Sequence, residues 1–185
     1  GEDFIEESTR YKYRGPNHGY HPWGVGQQNI LLAAKGGGFD GGTRIELSSL
    51  LDIAPTIAHY FDVEFSAQGL PLQDALPRDR LLYGETGVSE SGYWDEGHAS
   101  YPFSRPSQRY TLDPESTRVY QDPVYNDDTV AAKDRWVFNE SFWLVEENLI
   151  PTPRYSMFDW KNDPTFAEDI SEQHPEVFQE LITLL

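Results

Sequence analysis

Residues 46–72 read ELSSLLDIAPTIAHYFDVEFSAQGLPL, and their pattern is that of one short helix closed by a turn. Asp52 stands where the helix opens, since a carboxylate there can accept bonds from the free N–H groups of the first turn. Pro55 falls in that first turn, where its missing N–H removes no helical bond. Ile53, Ile57 and Phe61 recur at steps of four and share one apolar face, with Leu50, Leu51 and Ala54 beside it. Gly69-Leu70-Pro71-Leu72 then reads as a turn.

Upstream, Gln28 to Lys35 (QNILLAAK) is a short apolar run that stops at Gly36-Gly37-Gly38. This pattern predicts a strand buried on both faces, followed by a glycine turn. Thr43 to Leu47 alternates and predicts a second short strand. Arg80 to Glu85 (RLLYGE) predicts a third. Strand, helix and strand in this order describe an α/β layer over residues 1–88. If the strand at Gln28–Lys35 belongs to a sheet completed by other polypeptide, its edge is open, and open edges promote association.

Residues 89–129 carry Ser, Pro, Gly, Asp and Tyr with no sustained period. They read as a long aromatic loop or insertion, with Tyr93, Trp94, Tyr101, Phe103, Tyr110, Tyr120 and Tyr125 to pack it. Residues 130–185 read as a C-terminal subdomain. Arg135–Asn139 and Ser141–Glu146 form a hairpin about Asn139-Glu140, and Arg154–Trp160 is a third strand. Asn162-Asp163-Pro164 is a turn, and Pro175 opens a terminal helix with Val177, Phe178, Leu181, Ile182 and Leu185 on one stripe.

The chain of 185 residues carries 31 acids against 14 bases, a formal charge of −17. That balance argues against a nucleic-acid partner, which needs Lys and Arg to displace phosphate counterions, and against docking on an anionic membrane. With no cysteine, disulfides, thiolate metal sites and a Cys nucleophile within this chain are excluded. The longest apolar run, Ile30–Ala34, is too short to span a bilayer. Gly1-Glu2-Asp3 shows neither the basic start nor the apolar run of a signal peptide.

Five histidines are available. His59 lies in the helix opened by Asp52, His98 in the long loop, and His174 before Pro175. His18 and His21 differ, because they sit among Gly15, Gly19 and Gly24, immediately before the first apolar run. Glycines let a ligand approach the backbone closely. A neutral imidazole there can bind a metal or donate to an oxyanion. Lys12 and Arg14 are cations beside this loop and can receive an anionic substrate. Glu85 ends an apolar strand, where it either faces a site or stabilises a turn. No Walker loop, Rossmann glycine fingerprint or Gly-x-Ser-x-Gly elbow is present.

The segment from Glu46 to Leu72 resembles part of the sulfatases, in which a short strand leads into Asp-φ-x-Pro-Thr, a helix, a linker and a Gly before apolar residues. Asp52, Ile53, Pro55, Thr56 and Gly69 carry that match. Met157–Leu185 resembles their closing segment, through Asp159, Asp163, Pro164, Pro175 and Glu176, and Tyr83-Gly84-Glu85-Thr86-Gly87 fits the intervening strand. The resemblance implies the C-terminal part of an alkaline-phosphatase-like α/β sandwich, with a small antiparallel sheet and a C-terminal helix.

It further implies a metal-dependent hydrolase of sulfate esters, periplasmic or secreted, of which this chain is the C-terminal portion and inactive alone. Gly1-Glu2 looks like the continuation of the family's Asp-His-Gly motif. His18-Gly19 best matches a later His-Gly that contacts the metal or the transferred group, with Lys12 and His21 as rivals; His21 and Arg14 are then placed for substrate. The nucleophile and the paired Asp ligands of the family are not in this sequence. A divalent cation, calcium in a sulfatase or zinc in a phosphotransferase, would be held mainly by residues of the missing N-terminal part, which is the implied partner. Sulfated carbohydrates and aryl sulfates are the implied anionic esters. Alternatives are a phosphodiesterase or phosphoethanolamine transferase of the same superfamily, or a non-catalytic acidic carbohydrate-binding module using the aromatic loop.

Overall fold

A computed structural model describes residues 31–85, 110–125, 127, 130, 133–148 and 152–185. Its helices include a 3-10 turn at Leu50–Asp52 running into α1 (Ile53–Tyr60), a second 3-10 turn at Pro123–Tyr125, and α2 (Pro175–Ile182). Its strands are β1 (Leu82–Glu85), β2 (Tyr110–Leu112), β3 (Val119–Gln121), β4 (Arg135–Phe138), β5 (Trp143–Glu147) and β6 (Arg154–Phe158). The order β1-β4-β5-β6 makes one antiparallel sheet, and β2-β3 a separate hairpin. Mixed helix and antiparallel sheet, closed by a C-terminal helix, are the expected architecture.

Period-two alternation builds the core of the main sheet. Trp136, Trp143, Val145 and Phe158 point to one face, joined by Phe166 from the following loop. Val137, Leu144 and Met157 point to the other, covered by Leu181 and Val177 of α2 and by Ile170. Burial on both faces explains the three consecutive apolar residues Trp143, Leu144 and Val145 with which β5 begins. Phe166 reaches the core with a φ of 55°. That conformation is unfavourable for a bulky residue, and the ring stacked on Phe158 at 4.7 Å offsets it.

The hairpin between β4 and β5 turns where the sequence places it. The Asn139 side-chain oxygen accepts from the N–H groups of Ser141 (2.8 Å) and Phe142 (2.7 Å). At the far edge, Ile170 donates its N–H to the Met157 carbonyl at 2.8 Å, and Met157 donates to Asp169 at 3.2 Å. These bonds occupy the open side of β6 where a further strand would pair.

β1 is the edge strand beside β4, with Gly84 opposite Trp136. A Cβ on Gly84 would lie 2.3 Å from the indole ring, so the missing side chain is the space Trp136 occupies. Residues 82–85, read as the last strand of the first stretch, are therefore hydrogen-bonded to the C-terminal sheet.

Three expectations are corrected. Residues 31–35, the described part of the run Gln28–Lys35, form no strand, and Leu31 is 94% exposed. Thr43–Leu47 is not a strand either. Instead Arg44 reaches across to the Asp74 carbonyl at 2.9 Å and to Glu46, whose carboxyl it draws down to about 2. Both segments have a strand's pattern, but among the described residues neither has a neighbouring strand to supply ladder bonds. Within 89–129, a hairpin replaces the expected irregular loop over 110–121. Its turn is held by Asp113, which accepts from the Glu115 N–H at 2.9 Å and donates its own N–H to the Arg118 carbonyl at 2.9 Å.

Candidate functional site

Three of the residues that carry the resemblance, Asp52, Thr56 and Gly69, meet at the start of α1. Ser49 and Asp52 form a reciprocal capping box: the Ser49 hydroxyl accepts from the Leu51 N–H at 3.2 Å, and the Asp52 carboxylate accepts from the Ser49 N–H at 2.7 Å. Asp52 thus belongs to the preceding turn rather than capping the free N–H groups of α1, to which its side chain makes no cap bond. Its other oxygen accepts from the Leu70 N–H at 2.8 Å, and Arg80 closes the carboxylate from the opposite side at 2.8 and 2.6 Å. Arg80 also donates to the Leu47 carbonyl at 3.1 Å.

Asp52 is fully buried. Burial pushes its carboxyl up, but the Arg80 guanidinium and the Leu70 and Ser49 N–H groups outweigh that and hold it below the ordinary Asp value. Thr56, one turn on, accepts the Leu72 N–H on its hydroxyl at 2.8 Å, and Gln73 donates its amide to the Thr56 carbonyl at 3.0 Å. Gly69 lies so close that a Cβ there would meet the Leu51 carbonyl oxygen at 2.1 Å. Asp, Thr and Gly at these spacings bind the 69–73 turn to the base of α1.

The second set has the same character. The Asp159 carboxylate accepts from the Asn162 side chain at 2.7 Å, which holds it below the ordinary Asp value. Asp163 accepts from the Thr165 hydroxyl at 3.0 Å and the Glu168 N–H at 2.9 Å. Pro175 and Glu176 occupy the first turn of α2. Each of these side chains shapes a turn.

The candidate chemical residues Lys12, Arg14, His18 and His21 lie outside the described residues, as does His98. His59 is exposed in the last turn of α1. His174 precedes α2, its ring 5.0 Å from that of Phe142. Glu85, at the end of β1, pairs with Lys133, 48 residues further along the chain. Among the described residues no group of three or more His, Asp or Glu side chains could hold a metal ion. Asp52, Asp159 and Asp163 are taken up by protein donors, so they do not fit a cation. Among the described residues no helix is long and apolar enough to cross a membrane.

Two buried acids, Glu146 and Glu147, lie in the sheet beyond the candidate residues of the sequence. Glu146 sits opposite Arg135 and Glu147 opposite Arg154, and each pair is joined by an ion pair. Tyr155 donates its hydroxyl to Glu146 at 3.1 Å; burial and that carboxylate together raise the phenol. The hairpin register contained this signal, because directly opposed charges on one face pair across strands.

The chain matches no known protein family and no curated protein. Among solved structures it is similar to BT4656, determined in complex with its substrate D-glucosamine-2-N,6-O-disulfate. The identity is 18% and the TM-score 0.40, over 72% of this chain and 22% of the other. The chain thus spans about a fifth of the length of that protein.

Proposed function

We propose that this chain is the C-terminal portion of a metal-dependent sulfatase-like hydrolase that cleaves sulfate esters, and that it does not turn over substrate alone. What supports the reading is the tie at Asp52. The residues that resemble the sulfatase segment, Asp52, Thr56 and Gly69, act together on one turn, through bonds that depend on their spacing. A chance match would have no reason to bring them together.

In this proposal the catalytic contribution of the chain comes from residues 12–21. A sulfuryl group in transfer carries negative charge, and in a chain of net charge −17 few groups can meet it. His18 faces that group as an oxyanion donor or as the acid for the leaving group. Lys12 supplies a second positive charge, and Arg14 and His21 hold the anionic ester. The divalent cation, calcium in a sulfatase or zinc in a phosphotransferase, falls to residues beyond this chain. Sulfated carbohydrates and aryl sulfates are the substrate classes.

The test is the complete product of the gene, read through the coding sequence upstream of Gly1. It is expected to hydrolyse an aryl sulfate in preference to a phosphodiester. His18→Ala is expected to lower turnover roughly 10²–10³-fold, as loss of one oxyanion donor does. Unchanged kinetics in that variant would overturn the assignment of His18. Preference for a phosphodiester would move the chain to the phosphotransferase branch.

A further inference from the structure

Asn139, Glu140 and Ser141 form an Asn-x-Ser triplet in which the middle residue is not proline. It is the single Asn-x-Ser/Thr triplet of the 185-residue sequence. Asn17, Asn29, Asn126, Asn148 and Asn162 have neither Ser nor Thr two places on. In an exported chain such a triplet on a surface turn is the acceptor motif for N-linked sugar. This one stands at the tip of the β4–β5 hairpin, where Glu140 and Ser141 are exposed.

The local bonds leave the acceptor atom available. Oδ1 of Asn139 accepts from the backbone N–H groups of Ser141 at 2.8 Å and Phe142 at 2.7 Å, which fixes the orientation of the amide. Nδ2 has no hydrogen-bond partner among the described residues and is not one of their enclosed polar atoms, so it meets solvent. The Ser141 hydroxyl is likewise without a partner among them. The turn is held from outside the triplet: Trp160 donates its indole N–H to the Asn139 carbonyl at 3.0 Å, and Lys161 pairs with Glu140 at 3.4 Å. An aspartate would supply the same turn-forming oxygen. The turn therefore does not by itself call for the amide nitrogen.

We infer that Asn139 carries an N-linked oligosaccharide. The donor class is a lipid-linked oligosaccharide diphosphate met on export. Its sugar C1–O bond to the diphosphate breaks and the Nδ2–C1 bond forms. The lipid diphosphate leaves with the bonding electron pair, and Nδ2 gives up one proton. Oδ1 keeps both of its bonds in the product, so the hairpin turn survives the addition. The inference requires the periplasmic or secreted location that the sulfatase resemblance implies, and is independent of which ester is cleaved.

The experiment isolates the complete gene product from the cells that make it, unaltered and as Ser141→Ala and Ser141→Thr. Trypsin releases the peptide 136–154, which contains Asn139. Mass spectrometry, with fragmentation that leaves sugars in place, reads the modification and its position. Sugar is expected on Asn139 in the unaltered protein and in Ser141→Thr, and its loss is expected in Ser141→Ala. The alanine variant keeps the backbone N–H that Asn139 binds, so its circular dichroism is expected to match that of the unaltered protein. A bare Asn139 in the unaltered protein overturns the inference, as does sugar that persists in Ser141→Ala or sits on another residue of the peptide. Hydrolysis of an aryl sulfate by the same preparations tests the proposed function separately. Activity with a bare Asn139 sinks this inference alone, and a glycosylated protein without activity sinks the sulfatase reading alone.

Discussion

Arg80 grips the fully buried Asp52 through both of its terminal nitrogens, at 2.8 and 2.6 Å, from 28 positions further along the chain. The pair joins the start of α1 to the segment that enters β1. Removing the guanidinium leaves a buried carboxylate with two N–H donors and no cation. Arg80→Met is therefore expected to cost about 3–5 kcal/mol, the range for breaking a buried pair from one side. The double variant Asp52→Asn/Arg80→Met should cost less than the sum of the single changes. Denaturant melts of the four proteins measure this, and simple additivity would remove the pair from the account.

Acid should unfold the molecule through the same carboxylate. The Asp52 carboxyl lies below its ordinary value of 3.8 in the folded chain. A depressed folded value means that the unfolded state takes up protons first. The stabilisation is thus complete above about pH 4 and is lost as pH falls through the folded value. Asp169 acts in the same direction: burial pushes it up, but the Ser171 and Met157 N–H groups hold it low. Thermal midpoints measured from pH 6 to pH 2 should fall steeply below pH 4, and less steeply in the Asp52→Asn/Arg80→Met variant. A midpoint flat across that range would contradict the reading.

Two glycines are predicted to tolerate no side chain, for different reasons. At Gly69 the obstacle is the Leu51 carbonyl oxygen, 2.1 Å from the position of a Cβ. Backbone cannot rotate aside, so Gly69→Ala should separate the 69–73 turn from α1 at a cost above about 2 kcal/mol. At Gly84 the obstacle is the Trp136 ring, and Gly84→Ala should push that indole toward solvent. The expected readout is a red shift of tryptophan emission with a loss of about 1–3 kcal/mol. An unshifted spectrum at full stability would show that the ring has room.

Phe166 combines an unfavourable backbone with a fully enclosed ring. Phe166→Ala should cost about 3–5 kcal/mol, as for other buried aromatic truncations. Phe166→Gly relieves the backbone at φ 55° and should be no less stable than the alanine variant, although glycine usually weakens a chain. Urea melts of the two variants decide this. A glycine variant clearly weaker than alanine would mean that the backbone there is not held in that conformation.

Much of the C-terminal half was legible because its signals are local. Asn139-Glu140 marks the hairpin turn, Pro175 opens α2, and two-faced apolar strands are recognisable from residue type alone. No strand forms at 31–35, the described part of Gln28–Lys35, or at Thr43–Leu47, because an apolar run records what a segment can bury, while strand formation also requires a neighbour to bond with. The hairpin at 110–121 was missed because its strands are three residues each, too short to show a period. The Asp52 tie was legible only in part. The spacing of Asp, Thr and Gly was visible, but the partners of Asp52 at Leu70 and Arg80 lie 18 and 28 residues away.

The sequence by itself determined the α1 and α2 helices, the β4–β5 hairpin and the absence of cysteine chemistry, since each depends on neighbouring residues or on composition. Only the tertiary structure decided that β1 belongs to the C-terminal sheet, that Asp52 binds the 69–73 turn rather than the free N–H groups of α1, and that the apolar side of α1 is exposed among the described residues. Hydrophobic periodicity identifies a face without a direction. The direction is set by which side finds specific bonds, and in this chain Asp52, Thr56 and Gly69 place those bonds opposite the apolar stripe.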